Sequence, residues 1–369
     1  MKVLANRHLY HFEKFLPENV TVDFFDPNKF PKHAIDYDAM FINTTTPITP
    51  KTLPKSGKLQ FIATGSSGDD HVDKDHLKEL EITFQNAGGC NARAVAEYVI
   101  TSLLIWADKT GRSLQSSRVG IVGCGHVGET VAEILEIFSI PFVNYDPPRD
   151  HRDPDFNSAH FDELKECNIL SFHTPLTTTG NYPTHHLLND SWFSGKDFEL
   201  VINTARGGVT DENVLMKEIK ADRLAHVVTD VWENEPEFNP LFADKSLFAT
   251  PHIAGYSIQA KQKASQLITD AFCDYFNLTP QIQESPSRKF IDLQDEFSTI
   301  SDLLLRIHPI QTYDSALRKI LDKPAGERGR IFSTLRATMP LRNEYRFLEI
   351  PQRYLEQFPD LKKLGVHGK

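Results

Sequence analysis

Three residues carry most of the chemistry this 369-residue chain could perform: Arg206, Glu235 and His252. Each follows one of three successive candidate strands. Removing hydride from an alcohol carbon needs a base for the hydroxyl proton. If a carboxylate adjoins that carbon, a cation must hold it and fix the C2–H toward the acceptor. The base in turn needs a partner that sets its tautomer. His252, Arg206 and Glu235 fit those three roles in that order. Arg206 lies in Ala205-Arg206-Gly207-Gly208, whose small neighbours let a planar guanidinium reach a bound carboxylate. Glu235 precedes Pro236, and His252 sits between Pro251 and Ile253-Ala254-Gly255. Taken singly, each reads as an ordinary loop residue: the chain has 15 histidines, and Glu235 belongs to the acidic stretch ENEPE. Their order makes them specific, because the ends of parallel strands project from one edge of a sheet.

The hydride acceptor has its own signature in Ser117 to Asp146. Arg118 to Val122 reads as a strand, and Gly123, Gly125 and Gly128 form G-x-G-x-x-G. Val127, Val131, Ile134, Leu135 and Phe138 then recur with the period of a buried helical stripe. The first glycine permits a tight turn, the second lets a pyrophosphate approach the backbone, and the third lets helix and strand pack closely. The helix start, at His126 and Val127, offers free N–H groups to phosphates. Phe142 to Tyr145 reads as the next strand, closed by Asp146 at the spacing of a carboxylate that takes a ribose 2′-OH. A carboxylate there repels a 2′-phosphate, so the pattern predicts NAD rather than NADP.

The elements that must position these groups alternate strand with helix. Val3 to Ala5, Val22 to Phe25, Ala39 to Ile42, Leu59 to Ala63 and Ile82 to Phe84 read as one set of strands. Asn168 to Phe172, Glu199 to Asn203, Val227 to Trp232 and Leu247 to Ala249 continue the second set. Alternation of this kind predicts α/β architecture with parallel sheets. Asn91 to Ala107, with Asn91 as its cap, and Ser257 to Phe276 are long helical patterns suited to crossing between two lobes. The expectation is two Rossmann-like or flavodoxin-like parallel-sheet domains with a cleft between them and a small α+β C-terminal domain. Residues 1–97 and 257–285 form a substrate domain, 98–256 an NAD-binding domain and 286–369 the C-terminal block, read as an interaction module. Thr45 and Ser66 lie in loops at strand ends, where ligands bind in open α/β sheets, although turn chemistry alone also favours such residues.

Composition excludes several classes. A net charge of −10 without a long basic run argues against nucleic acid or an anionic membrane as the main partner. The four cysteines are widely spaced and predict reduced thiols in a cytoplasmic protein. The N-terminus is too polar for a signal peptide, no apolar run could span a bilayer, and no metal motif stands out.

GCGHVG, HTPL, INTARGG, DVWENEP and TPHIAGYS together resemble the D-2-hydroxyacid dehydrogenases, over about Ala39 to Phe276. The resemblance implies the roles given above for Arg206, Glu235 and His252, and NAD contacts at Asp146, Thr174, Asp230 and Gly255. It is closest to one branch, which acts on a phosphorylated 2-hydroxy acid, through GDDHVD, NYDPPR, THHLL and the C-terminal LRATMPLRNEYRF. That implies substrate contacts at Thr45, Ser66 and Tyr256 and a homodimer formed through the C-terminal domain. Asp69 stands where that branch more often has a small or hydroxyl residue. Arg342 and Arg346 are the candidates for the substrate phosphate. Two alternatives stay open: a different 2-hydroxy acid as substrate, and an NAD-sensing binding protein without turnover.

Overall fold

The computed structural model describes residues 1–27, 29–281 and 286–369. The chain divides into two compact units, Met1–Asn91 with Ser257–Ser287, and Ala92–Tyr256 with Arg288–Lys369. The segment 282–285, where the first and last domains were expected to meet, lies outside the described residues.

The first unit opens with β1 (Lys2–Asn6), β2 (Thr21–Phe25), β3 (Ala39–Ile42) and β4 (Phe61–Thr64). Helix α1 (Lys74–Glu79) and β5 (Thr83–Asn86) follow. The five strands form one parallel sheet in the order β2-β1-β3-β4-β5. Strands β3 and β4 are buried throughout, as expected where helices cover both faces.

The second unit begins with α2 (Ala92–Thr110). The side-chain oxygen of Asn91, expected to cap that helix, has no hydrogen-bond partner. Next come β6 (Val119–Val122), α3 (His126–Ile137), β7 (Phe142–Tyr145), α4 (Pro147–Asp150) and α5 (Phe161–Leu164). Then follow β8 (Ile169–Phe172), β9 (Phe198–Asn203), α6 (Glu212–Lys220), β10 (Leu224–Thr229), α7 (Pro240–Lys245) and β11 (Phe248–Ala249). Their six strands are parallel in the order β11-β10-β9-β8-β6-β7. Both large sheets therefore reverse direction beside their first strand, the doubly wound arrangement.

Strand β10 lies three residues upstream of its expected position. The chain leaves the sheet after Thr229, whose hydroxyl donates to the Val231 carbonyl at 2.7 Å. Asp230 then turns inward to accept hydrogen bonds from the loop after β11.

Helix α8 (Ile258–Phe276) belongs to the first unit. It is capped at Ser257, whose hydroxyl accepts from Ala260 N at 2.9 Å, and stopped by Asn277 in the left-handed region at φ 54°. Its Phe272 ring packs 5.4 Å from Phe41.

The C-terminal elements are β12 (Lys289–Phe290), α9 (Ile300–Ile307), α10 (Ile310–Arg318), α11 (Ala325–Thr338), β13 (Leu348–Ile350), α12 (Gln352–Gln357), α13 (Asp360–Lys363) and β14 (His367–Gly368). Their three strands form a small parallel sheet. Leu303, Tyr345 and Leu361 share one apolar core with Trp106 of α2 and Ile121 of β6. Among the described residues no helix is long and apolar enough to cross a membrane.

Candidate active site

The glycine loop follows β6 and the HTPL loop follows β8, on either side of the point where strand order reverses. Gly123 has φ 93°, and a Cβ there would sit 2.7 Å from Thr174. A Cβ on Gly128 would overlap the Gly123 carbonyl. Gly125 faces open space and serves as the N-cap of α3. Val131, Ile134 and Leu135 bury the stripe behind it, and the amides of the first turn, at His126 and Val127, lack intrahelical partners.

Asp146, at the end of β7, has two further tasks that its spacing did not reveal. One oxygen accepts from the Cys124 amide at 2.8 Å, and the other caps α4 through Arg149 N at 3.0 Å. Across the switch point the Thr174 hydroxyl is buried and has no hydrogen-bond partner. An open glycine, free helix amides, a carboxylate at the second strand and an unpaired hydroxyl together fit a bound dinucleotide.

The Arg206 loop follows β9. Asn203 braces it, accepting from Ala205 N and donating to the Arg206 carbonyl, both at 3.1 Å. Arg206 donates to the Ala205 carbonyl at 2.8 Å. Gly207 lies so close to the Trp232 carbonyl that any Cβ would overlap it, so the Arg206 and Glu235 loops meet backbone to backbone.

Glu235 and His252 form a pair. Nδ1 of His252 lies 2.8 Å from Oε2 and 3.1 Å from Oε1 of Glu235. Oε1 also accepts from Trp232 N at 3.0 Å. Burial pushes the Glu235 carboxyl up, but the charge and hydrogen bond of His252, with smaller help from Arg336, outweigh it and hold the group below its usual range. With Nδ1 committed to the carboxylate, Nε2 is the nitrogen available for proton exchange. His252 has φ 56°, a left-handed backbone that aims its ring at a steric cost.

Asp230 maintains that backbone. It is 1% exposed. It accepts from Thr250 Oγ1 at 2.6 Å, Ile253 N at 2.8 Å and Ala254 N at 2.8 Å. Burial raises its pKa to about 6 against those bonds and the charge of His252. Tyr98 of α2 extends the chain with its hydroxyl 2.8 Å from Thr250 Oγ1. Gly255 and Tyr256 continue the same loop, and Tyr256 N donates to the Ile253 carbonyl at 2.8 Å. A second support comes from His186, which bridges Asp211 at 3.3 Å and Glu233 at 3.2 Å. Beside it the buried Glu212 carboxyl is pushed up to about 8, chiefly by burial and then by neighbouring carboxylates, although it accepts from Glu233 N.

In the five-stranded unit, Thr45 Oγ1 donates to Asn43 at 2.6 Å. Ser66 lies 2.8 Å from Thr64 Oγ1 and donates to the Gly68 carbonyl. Asp69 is paired with Lys74 at 2.9 Å and receives Asn86 Nδ2 at 2.9 Å, so its charge is already met. Arg342, a candidate for the phosphate, is instead buried: its guanidinium donates to Glu97 Oε2 and the Ala94 carbonyl, both at 2.7 Å. Arg346 pairs with Glu344 at 3.0 Å.

The profile of the D-isomer specific 2-hydroxyacid dehydrogenase NAD-binding domain matches residues 100–254. The erythronate-4-phosphate dehydrogenase of Bacteroides thetaiotaomicron is 33% identical, over 93% of this chain and 97% of its own length. That of Proteus mirabilis is 32% identical, over 95% and 94%. Among solved structures, the NAD-bound 3-phosphoglycerate dehydrogenase of Entamoeba histolytica superposes with a TM-score of 0.61 at 24% identity, over 75% of this chain and 95% of its own. The D-lactate dehydrogenase of Aquifex aeolicus, complexed with NAD and lactic acid, gives 0.59 at 21%, over 75% and 96%.

Proposed function

The chain belongs to the D-2-hydroxyacid dehydrogenase family and is an NAD-dependent oxidoreductase, and from that premise we propose that its substrate is 4-phospho-D-erythronate. The reaction oxidises C2 to give 2-oxo-3-hydroxy-4-phosphobutanoate, a step of pyridoxal 5′-phosphate synthesis. The observation that carries this reading is the extent of the likeness. The Bacteroides and Proteus enzymes of that activity align in sequence with 93% and 95% of the chain, at 33% and 32% identity, which takes in most of the C-terminal elements.

His252 takes the C2 hydroxyl proton on Nε2, and Glu235 stabilises the imidazolium that results. Arg206 grips the substrate carboxylate and fixes the C2–H. Asp230 keeps the His252 loop in its left-handed turn. NAD, held by the glycine loop, Asp146 and Thr174, supplies the hydride acceptor. Thr45, Ser66 and Tyr256 are the proposed substrate contacts. The C-terminal elements pair two copies of the chain, and the protein works in the cytoplasm.

The test offers 4-phospho-D-erythronate, unphosphorylated erythronate and 3-phosphoglycerate in single-turnover assays that follow both NADH and keto-acid product. Turnover is expected with 4-phospho-D-erythronate alone, and His252→Gln should lose it by about 100-fold or more. Preferential turnover of 3-phosphoglycerate would overturn the substrate assignment.

A further inference from the structure

The C-terminal part of the chain reaches the catalytic pair through one helix. Phe332 of α11 is fully buried, with its ring 5.5 Å from Phe238, three residues after Glu235. The Arg328 guanidinium lies 5.4 Å from the Phe238 ring. Gly329 lets the helix close on Pro236 and Glu237, since a Cβ there would be 3.1 Å from Glu237 Cγ. This packing brings Arg336 Nη1 to 3.9 Å from Glu235 Oε2, the same oxygen that lies 2.8 Å from His252. The Arg336 Nε is buried without a hydrogen-bond partner.

We propose that Arg336 is a positioning residue for the reaction, through which the C-terminal helix sets the charge on the Glu235–His252 pair. The reading rests on the roles assigned above to those two residues. Glu235 must meet two opposed demands. It has to stabilise the imidazolium formed when the substrate proton arrives, yet leave the imidazole neutral in the waiting enzyme. A lone buried carboxylate satisfies the first and works against the second. A cation 3.9 Å from the shared oxygen moderates the pull of the carboxylate and disfavours its own protonation. Asp230, after β10, is a carboxylate whose charge acts on His252, and Glu212 of α6, raised to about 8, is protonated at neutral pH. Arg336 is the cation that acts after His252 in holding the Glu235 carboxyl down.

The experiment measures the pH dependence of single-turnover oxidation and of kcat/KM for the full-length enzyme and for Arg336→Met, Arg336→Gln and Arg336→Lys. In Met and Gln the acid limb should move to higher pH by about half a unit or more, with KM little changed and the rate recovering at alkaline pH. Lys should stay close to wild type. If Met fails to fold by circular dichroism and NAD binding, the Gln and Lys pair carries the comparison. Superimposable profiles would overturn the proposal. So would equal shifts in Lys and Gln, which would mean packing alone, or a tenfold rise in KM with an unmoved limb, which would mean contact with substrate. His252→Gln separates the two readings. If that variant turns over normally, the assigned mechanism falls. If it is inactive while the Arg336 profiles coincide, only the role of Arg336 falls.

Discussion

The two large sheets share one winding pattern and use it differently. In the five-stranded sheet the switch point lies between β1 and β3, and its polar groups bond to one another. Asn6, fully buried, donates to Asn43 at 2.9 Å and Thr46 at 3.2 Å, and Asn43 also holds Thr45. In the six-stranded sheet the switch point lies between β6 and β8, and there Gly125 faces open space while the Thr174 hydroxyl is buried without a partner. Topology supplies a place at the strand ends in both sheets. In the second sheet that place also holds polar capacity that the fold leaves unspent. The buried polar groups differ as well: Asn6, Thr46 and Thr64 in the first sheet are neutral, whereas the second buries Asp230 and Glu212.

Four variants test that contrast. Gly128→Ala should be the most damaging, because the added methyl must displace the Gly123 carbonyl; calorimetric titration should find NAD affinity down by at least about tenfold, equal to about 1.4 kcal/mol. Unchanged affinity would show that the close approach of helix and loop is dispensable. Glu212→Gln addresses charge. A carboxyl raised to about 8 when folded and near 4.5 when unfolded loses stability progressively as pH rises from 4.5 to 8. Wild-type Tm should therefore fall more steeply between pH 6 and 8 than that of the variant, and parallel curves would remove Glu212 as the source. Asn6→Ala strands the partners of a buried amide and should cost about 1–3 kcal/mol in denaturant unfolding. It should leave the NAD affinity alone, and a change there would undo the division between the two switch points. Thr174→Val is the mildest: it should keep the fold and weaken NAD by no more than about tenfold. A stability loss without any change in NAD affinity would mean the hydroxyl serves the fold.

Local patterns made much of the site legible. The glycine spacing, the α3 stripe and the order of Arg206, Glu235 and His252 are written in short stretches, because a turn, a helix face and a strand end each need only neighbouring residues. What sequence could not reveal depends on partners far along the chain. Val227 to Trp232 reads as one strand, yet Asp230 leaves the sheet because amides more than twenty residues away complete its hydrogen bonds. Arg342 looks like a free cation until α2 supplies Glu97. No spacing rule links Arg336 with Glu235, since α11 meets that loop through long-range packing such as Phe332 on Phe238. The double role of Asp146 was hidden for a smaller reason: its carboxylate could be placed from spacing, but its two amide donors could not.

The Glu97–Arg342 bond has a consequence for how the protein is made. The two residues are 245 positions apart, and Glu97 is wholly enclosed in a helix at the centre of the second unit. A ribosome adding about 5–20 residues per second needs roughly 12 to 50 s to travel from one to the other. Throughout that interval Glu97 can pair with Arg93, 3.0 Å away on the same helix, but lacks Arg342 and the Tyr345 amide that complete its bonding. The six-stranded half therefore reaches its final packing only as translation nears completion. A chain interrupted before Arg342 would keep the glycine loop and the catalytic residues in its sequence yet leave Glu97 with Arg93 and without its second arginine.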